Sequence, residues 1–448
     1  MKKIFKSAVV LLIGLTACNP LQLDEVVDPN NPSLSTVTVN ATRAQIQFII
    51  TGLEFRHRGY VTNISQAWNT FGREIWYLNA SDPRFQTEWL GQAGRVPNSD
   101  YFGFGTTGGG SYALPYQAIR QAQLLIDVCD NTNSITAEEK NAVKGFAKTI
   151  MGYQFMIPAN FMYGNGIRVD VKDPRNPGPY VTYAQGLQHA EDLLDEAYVD
   201  LGNGGTGTNA FPFSLTGGWN GFNTLNGVRS VNRAIAARLN AYQQDWQGVL
   251  DAIDGSFINL TGNLNAGPSH SYAGPPDIFN PMFFLPNAAV TTIVAVHPSL
   301  IDDATPGDKR VADKFFLRTT PVTVTTDAGA LVGTHQDKRW ATNTSPIPFI
   351  RNEELILLKA EAHAQLDETT NAVDAIDIIR TAAEIGDYTG ATDQASLIDE
   401  ILYQRRYSLW AEPWGHRWID ARRYNRLNDI PTSYDAGTIF TQFPRPQS

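Results

Sequence analysis

The chain has 448 residues, of which 42% are hydrophobic and 18% charged, and its formal net charge is −10. This composition excludes an intrinsically disordered chain and a coiled coil, and an acidic chain lacks the concentrated basic face that nucleic-acid binding needs. Only two cysteines are present, which excludes a disulfide scaffold and a Cys-rich zinc site.

The first residues have the pattern of a bacterial lipoprotein leader. Three lysines lie within residues 1–6, residues 8–15 are apolar, and small residues precede Cys18. The apolar run is too short to span a bilayer. We therefore predict a lipoprotein signal peptide over residues 1–17 and a lipid on Cys18. The alternative is an ordinary secretory peptide in which this cysteine is incidental.

Residues 18–33 are rich in Pro and Asn and show no helical period, so they are predicted to be a tether between the lipid and the folded part. The acidic residues Asp24, Glu25 and Asp28 allow two interpretations, a surface-export signal and a solvated linker, and the sequence does not favour one over the other. No composition break divides the remainder, and we predict one domain over residues 34–448. No later stretch is apolar for long enough to form a membrane-spanning helix.

The body of the chain shows repeated 3.6-residue periodicity, which predicts amphipathic helices. Cys129 lies on one such apolar stripe and is predicted to be a buried core residue. Pro158 is expected to end the third helix. The predicted helices cover residues 41–58, 114–130, 136–156, 183–201, 231–253, 352–366, 370–385, 396–409 and 415–425.

Long segments without helical period separate these helices, at residues 60–112, 202–229 and 254–350. Small residues on the helix faces favour close helix pairs of the tetratricopeptide type, although no strict 34-residue repeat is present. The predicted fold is mainly α, with tetratricopeptide-like helix pairs as a scaffold and a long loop-rich face for a ligand or partner.

Several segments resemble the SusD/RagB family, in the family's order. Residues 351–362 (RNEELILLKAEA) resemble its IR-x-E-x-x-L-x-x-AEA helix, and residues 403–423 (YQRRYSLWAEPWGHRWIDARR) resemble its ERR-x-EL-x-x-EG-x-RW-x-DLRR block. Residues 72–84, 231–239 and 307–311 resemble the GRE…Y…DPR, NRALAAR and GD-x-R elements, the first of which is typical of the shorter members. Pro413 and Trp414 depart from the usual Glu-Gly.

The resemblance implies a surface-facing lipoprotein of the outer membrane. Such a protein captures an oligosaccharide, or a peptide in RagB-like members, and delivers it to a SusC-type TonB-dependent β-barrel transporter, over which it acts as a lid. The family is not catalytic, and no cofactor is implied. Two alternatives remain open from the sequence: a surface glycan hydrolase, and an adhesive or structural surface lipoprotein without a small ligand.

A sugar-binding face needs flat aromatic side chains for the C–H faces of the rings and polar side chains for the hydroxyl groups. The segment 60–112 and the Gly-rich segment 202–229 supply both kinds. The alternative is that these aromatic residues pack inside the loops. The candidate ligand-binding residues are Trp68, Asn69, Arg73, Trp76, Tyr77, Trp219, Asn220 and Phe222.

The C-terminal block carries many acidic and basic residues that invite a catalytic interpretation, since paired carboxylates can hydrolyse glycosides. A helix-linking network of arginine–carboxylate pairs is the favoured alternative. Trp410, Trp414 and Trp418 are predicted to be core residues. The seven histidines form no HExxH motif and no pair at metal-ligand spacing on one helix, so no metal site is predicted.

Overall fold

The computed structural model describes residues 38–82, 84–97, 110–173 and 176–445. The predictions for the signal peptide, for Cys18 and for the tether concern residues outside this range. Within the described residues, each helix is either too short or too polar to cross a membrane.

The described chain is mainly helical, and most of its helices follow one another as packed neighbours. The helices are α1 (Arg43–His57), α2 (Asn63–Phe71), α3 (Arg84–Thr87), α4 (Gly110–Asn131), α5 (Ala137–Met162), α6 (Tyr183–Gly202), α7 (Leu225–Gln243), α8 (Trp246–Asp254), α9 (Ser299–Asp302), α10 (Lys309–Lys314), α11 (Asn352–Gln365), α12 (Thr369–Ala382), α13 (Gln394–Ser408) and α14 (His416–Arg423).

Consecutive helices pack as pairs: α4 with α5, α5 with α6, α6 with α7, α7 with α8 and α11 with α12. Helices α1, α5 and α6 start at capping boxes, in which a threonine (Thr42, Thr136 or Thr182) and a Glu or Gln three residues later satisfy each other's backbone N–H groups. The predicted mainly α fold with tetratricopeptide-like helix pairs is confirmed. Cys129 is buried, as predicted.

Helix α5 does not end before Pro158 as predicted but continues to Met162. Proline removes one backbone hydrogen bond within a helix. Every side chain from Ile157 to Met162 is buried, so packing of this last segment offsets the lost bond.

The helix predicted over residues 231–253 is two helices, α7 and α8. Gln244 adopts a left-handed conformation with φ 63°, which ends α7. The side chain of Asp245 then accepts a hydrogen bond from the backbone N–H of Gly248, 3.0 Å away, and caps α8. The apolar stripe runs on through both helices, so periodicity alone did not reveal the turn.

The strands form small antiparallel sheets. A four-stranded sheet has the order β1 (Ile75–Asn79), β5 (Thr292–Val296), β7 (Gly329–Asp337) and β6 (Phe315–Thr326). The segment predicted as an irregular loop over residues 60–112 therefore contains α2, β1 and α3. Two further sheets are two-stranded: β2 (Ile167–Arg168) pairs with β3 (Tyr180–Val181), and β4 (Ser269–His270) pairs with β8 (Ile347–Pro348).

Candidate ligand-binding groove

Most of the ligand-binding residues predicted in segment 60–112 lie in the core. Trp68 and Asn69 on α2 are fully buried, and Asn69 donates to the carbonyl oxygen of Glu412 at 3.0 Å. Arg73 is also fully buried, and its Nε lies 2.7 Å from Oδ2 of Asp435. Trp76 is buried where β1 pairs with β5. These four side chains pack the interior in this structure and present no face to solvent.

The remaining predicted residues differ in exposure. Trp219 is buried in the core, with its ring 5.2 Å from Phe146. Tyr77 and Phe222 are half-buried, and Asn220 is exposed. Tyr77, Asn220 and Phe222 therefore remain accessible, and their contact with a ligand stays a prediction.

A smaller cavity of about 160 Å³ lies beside Trp219 and is also lined by Glu54 and His57. Oε2 of Glu54 and Nε2 of His57 are buried there without a hydrogen-bond partner in the described chain. The volume is below the 300–1,000 Å³ of typical ligand pockets. A polar cavity of this size suits ordered water rather than an oligosaccharide.

A larger groove lies elsewhere, between α4, α1 and the β2–β3 hairpin, and encloses about 530 Å³. This volume falls within the usual range for ligand sites. We call it the tyrosine–arginine groove. Its polar and aromatic lining consists of Thr38, Arg56, Tyr112, Tyr116, Gln117, Arg120, Gln121, Asp127, Arg168 and Tyr180.

The floor of the tyrosine–arginine groove is one face of α4. Tyr112, Tyr116, Arg120 and Leu124 follow one another at intervals of four residues, which places them along the same side of a helix. The opposite stripe of the helix, which includes Cys129, is buried in the core. Helix α4 is therefore amphipathic, with an aromatic and polar face towards the groove.

Tyr116 is held in place by backbone hydrogen bonds, and Tyr112 by contact with Tyr116. The hydroxyl of Tyr116 donates to the carbonyl oxygen of Arg168 at 3.1 Å and accepts from its backbone N–H at 3.2 Å. The ring of Tyr112 lies 5.3 Å from that of Tyr116, tilted by 43°. Burial raises the pKa of both phenols above the ordinary value, so both are neutral. The rings form a fixed, uncharged platform.

The hairpin supplies the facing wall. Arg168 of β2 and Tyr180 of β3 are cross-strand partners, and the guanidinium carbon lies 4.3 Å from the centre of the Tyr180 ring. Such stacking holds a cation over an aromatic face. Tyr180 is 38% exposed, and the guanidinium carbon of Arg445 also lies 4.6 Å from the centre of its ring.

The lining of the groove combines aromatic side chains with hydrogen-bond donors. Both kinds of group are used in sugar binding, because sugar rings stack on aromatic side chains while hydroxyl groups bond to polar groups at the edge. The groove was not predicted from the sequence. Tyr112, Tyr116 and Arg120 recur every four residues in the sequence. No feature of the sequence, however, indicates that they lie beside Arg168 and Tyr180.

The charged residues of the C-terminal block form the predicted ion-pair network. Glu361 accepts hydrogen bonds from Arg405 and Arg423, both at 2.7 Å, and from Tyr424 at 2.6 Å. Burial alone would raise the pKa of Glu361, but Arg423 and Arg405 outweigh it and lower the pKa below the ordinary value. Glu353 and Glu412 both pair with Arg351.

These contacts confirm the structural interpretation of the block. The carboxylates of the network are buried and engaged by arginine, whereas a catalytic acid and base must reach a substrate. Trp410, Trp414 and Trp418 are buried, as predicted for core residues.

One buried group has the residue types of a metal site: Glu354, Glu412 and His416. However, Arg238 donates two hydrogen bonds of 2.6 Å to Glu354, and Arg351 donates one of 2.5 Å to Glu412. Burial, followed by the surrounding arginines, keeps the pKa of His416 well below its ordinary value. Guanidinium groups already neutralise both carboxylates, so a cation would meet repulsion, and we assign no metal to this group.

Part of the chain is similar in sequence to known proteins. Residues 323–447 match the model of the SusD family. A curated relative, SusD-like protein P38 of Formosa agariphila, is 37% identical over 92 residues, which is 19% of this chain and 18% of that protein. The matched segment thus spans less than a fifth of the relative's length.

Solved structures share the fold over most of the chain. Surface glycan-binding protein A of Bacteroides uniformis superposes with a TM-score of 0.65 at 12% identity, over 90% of this chain and 96% of that one. A laminarin-binding SusD-like protein gives 0.62 at 12% identity, over the same shares. A SusD-like carbohydrate-binding protein of Bacteroides vulgatus gives 0.61 at 17% identity, over 86% and 83%. Residues 323–447 therefore match the SusD family in sequence, and most of the chain shares the fold of these SusD-like structures.

Proposed function

We propose that this chain is a non-enzymatic, surface-exposed lipoprotein that captures an oligosaccharide in the tyrosine–arginine groove. The observation that carries the proposal is the groove itself: fixed, neutral tyrosine rings beside polar donors, in a volume of about 530 Å³. A peptide is the second ligand class that the family resemblance allows. The glycan-binding and laminarin-binding descriptions of the structural neighbours favour a glycan.

In the same proposal, the captured glycan passes to a SusC-type TonB-dependent transporter, over which this protein acts as a lid. Lipid on Cys18 anchors the protein to the outer membrane, and residues 18–33 form the tether. The resemblance of the sequence to SusD/RagB proteins supports this arrangement, and so does the leader pattern of residues 1–17.

Ligand capture is tested by isothermal titration calorimetry with a panel of oligosaccharides on the purified protein. Tyr180→Ala removes the most accessible ring of the groove, and loss of one stacking contact of roughly 1 kcal/mol weakens binding about fivefold. Tyr434→Ala is the matched control, since Tyr434 is 36% exposed and does not line the groove. Equal affinity in both variants would show that the groove is not the glycan site.

Delivery is tested by purifying the tagged protein from solubilised outer membrane in mild detergent. A roughly stoichiometric large β-barrel in the eluate is the expected result. Recovery of the lipoprotein alone would contradict the transporter partnership and favour the adhesive alternative. Cys18→Ala is expected to leave the outer-membrane fraction, and its retention at high salt without a partner would contradict the lipid anchor.

The hydrolase alternative has its own readout. The wild-type protein is expected to release no reducing sugar from any oligosaccharide that it binds. Release that disappears on replacement of one carboxylate would establish catalysis instead.

A further inference from the structure

The charge of the tyrosine–arginine groove is opposite to that of the whole chain. The chain carries a formal charge of −10. The groove, in contrast, is lined by Arg56, Arg120 and Arg168, with Asp127 as the single carboxylate residue among its described lining. The three arginines come from α1, α4 and β2, so the local positive charge is assembled by the fold rather than by a run of basic sequence.

None of these three guanidinium groups forms an ion pair within the described chain. Arg56 donates to the side-chain oxygen of Gln117 at 2.6 Å, and Arg120 donates to the carbonyl oxygen of Lys172 at 2.6 Å. Arg168 donates to the carbonyl oxygens of Gly178 and Pro177. All of these acceptors are neutral. Elsewhere in the described chain most buried arginines pair with a carboxylate, as Arg238 does with Glu354, although Arg318 and Arg422 do not.

The carboxylate of the lining does not compensate these charges. Oδ1 of Asp127 accepts a hydrogen bond from Gln123 at 2.8 Å, and Asp127 pairs with none of the three arginines. Each guanidinium has five N–H donors, of which the bonds named above occupy only a part. Donors and positive charge therefore remain for a ligand.

Resting on the proposed glycan-binding function, we propose that the tyrosine–arginine groove selects acidic oligosaccharides, whose sugar rings carry carboxylate or sulfate groups. The planar guanidinium matches both groups, because two of its parallel N–H donors can engage two oxygens of one anion. The tyrosine rings contact the faces of the sugar rings, and the arginines bind the negatively charged groups. A neutral glycan would use the platform but leave three positive charges uncompensated.

The test compares probes that share a skeleton and differ in charge. Calorimetry on the full protein measures binding of tetragalacturonate and of its methyl ester, and then of a sulfated oligosaccharide and its desulfated form. We expect at least one charged probe to bind about tenfold or more tightly than its neutral counterpart, since a hydrogen bond to a charged group is the stronger kind. That preference should weaken as salt is raised from 50 to 500 mM.

Variants assign the preference to the groove. Arg56→Gln and Arg120→Gln each lower the affinity for the charged probe about tenfold and leave the affinity for the neutral probe nearly unchanged. Arg229→Gln is the matched control: Arg229 stacks on Tyr198, forms no ion pair in the described chain and does not line the groove. It should bind both probes as the wild type does.

Three outcomes would overturn the inference. Equal binding of charged and neutral probes would leave glycan capture standing and remove the selectivity for acid. A charge preference that survives both groove variants would place the selectivity elsewhere. Binding of an oligoglutamate peptide without binding of any oligosaccharide would replace the glycan by an acidic peptide and contradict the proposed function as well.

Discussion

Gly145 on α5 faces α6 at a point where there is no room for a methyl group. A Cβ atom built on Gly145 would lie 2.5 Å from Cγ of Leu201, 2.9 Å from the carbonyl oxygen of Ala197 and 2.9 Å from the backbone nitrogen of Leu201. Two of these three atoms belong to the α6 backbone, so rotation of a side chain cannot relieve the overlap. Gly145→Ala must therefore push the two helices apart.

The change in the free energy of unfolding combines two opposing contributions, helix propensity and packing. Alanine within a helix is normally favoured over glycine by about 1 kcal/mol. Forcing an extra methyl group into a packed interface costs about 1–3 kcal/mol, and the upper end applies where backbone atoms must move. We expect Gly145→Ala to reduce the free energy of unfolding by about 2 kcal/mol.

Urea unfolding followed by circular dichroism measures this loss as a lower midpoint concentration. Gly52→Ala on α1 is the matched control, because the nearest atom to its Cβ is the flexible side-chain nitrogen of Gln121 at 3.0 Å. That variant should gain about 0.5–1 kcal/mol. If Gly145→Ala were as stable as Gly52→Ala, the close packing of α5 on α6 would be refuted.

Two further predictions concern buried charge. Burial lowers the pKa of His57 to about 3, so the folded protein keeps this imidazole neutral. The unfolded chain, in contrast, takes up a proton at this residue below about pH 6.5. The free energy of unfolding therefore falls by about 1.4 kcal/mol per pH unit as the pH drops from about 6.5 towards 3. The urea midpoint of His57→Gln should fall less between pH 7.5 and 5 than that of the wild type, and equal losses would contradict the buried neutral state. Glu361→Ala leaves the buried Arg405 and Arg423 with Asp420 as their one remaining shared carboxylate, so the positive charge is no longer balanced, and should cost about 3–5 kcal/mol in urea unfolding. Glu196→Ala, at an exposed carboxylate that pairs with a lysine, should cost less than about 1 kcal/mol. Similar losses in the two variants would show that the buried network does not carry the stability we assign to it.

Much of the helical scaffold could be predicted from the sequence because helices such as α6 bury one apolar stripe, whose period is visible within a short segment. The predictions failed where the decision was not local. The left-handed turn at Gln244 interrupts a stripe that continues on both sides. Helix α5 continues after Pro158 because the side chains of this last segment are buried against the rest of the protein. The sequence of the segment alone does not indicate this burial.

The same difference between local and long-range determinants explains where the predicted ligand-binding residues lie. Trp68 and Asn69 looked like loop residues, whereas they lie on α2 and are packed against parts of the chain more than three hundred residues away, including Glu412. The tyrosine–arginine groove is assembled from three segments far apart in sequence. Only its α4 face had a local signature, and an aromatic stripe alone does not show whether another helix covers it.

The measurement that most directly tests ligand capture in the tyrosine–arginine groove is a crystal structure of the protein with a bound acidic oligosaccharide. We predict that the sugar rings lie against Tyr112 and Tyr180, with an acidic group within hydrogen-bonding distance of Arg56, Arg120 or Arg168. An oligosaccharide bound at the exposed Asn220 and Phe222, with the groove free of sugar, would contradict the account and return the site to the loop region predicted from the sequence.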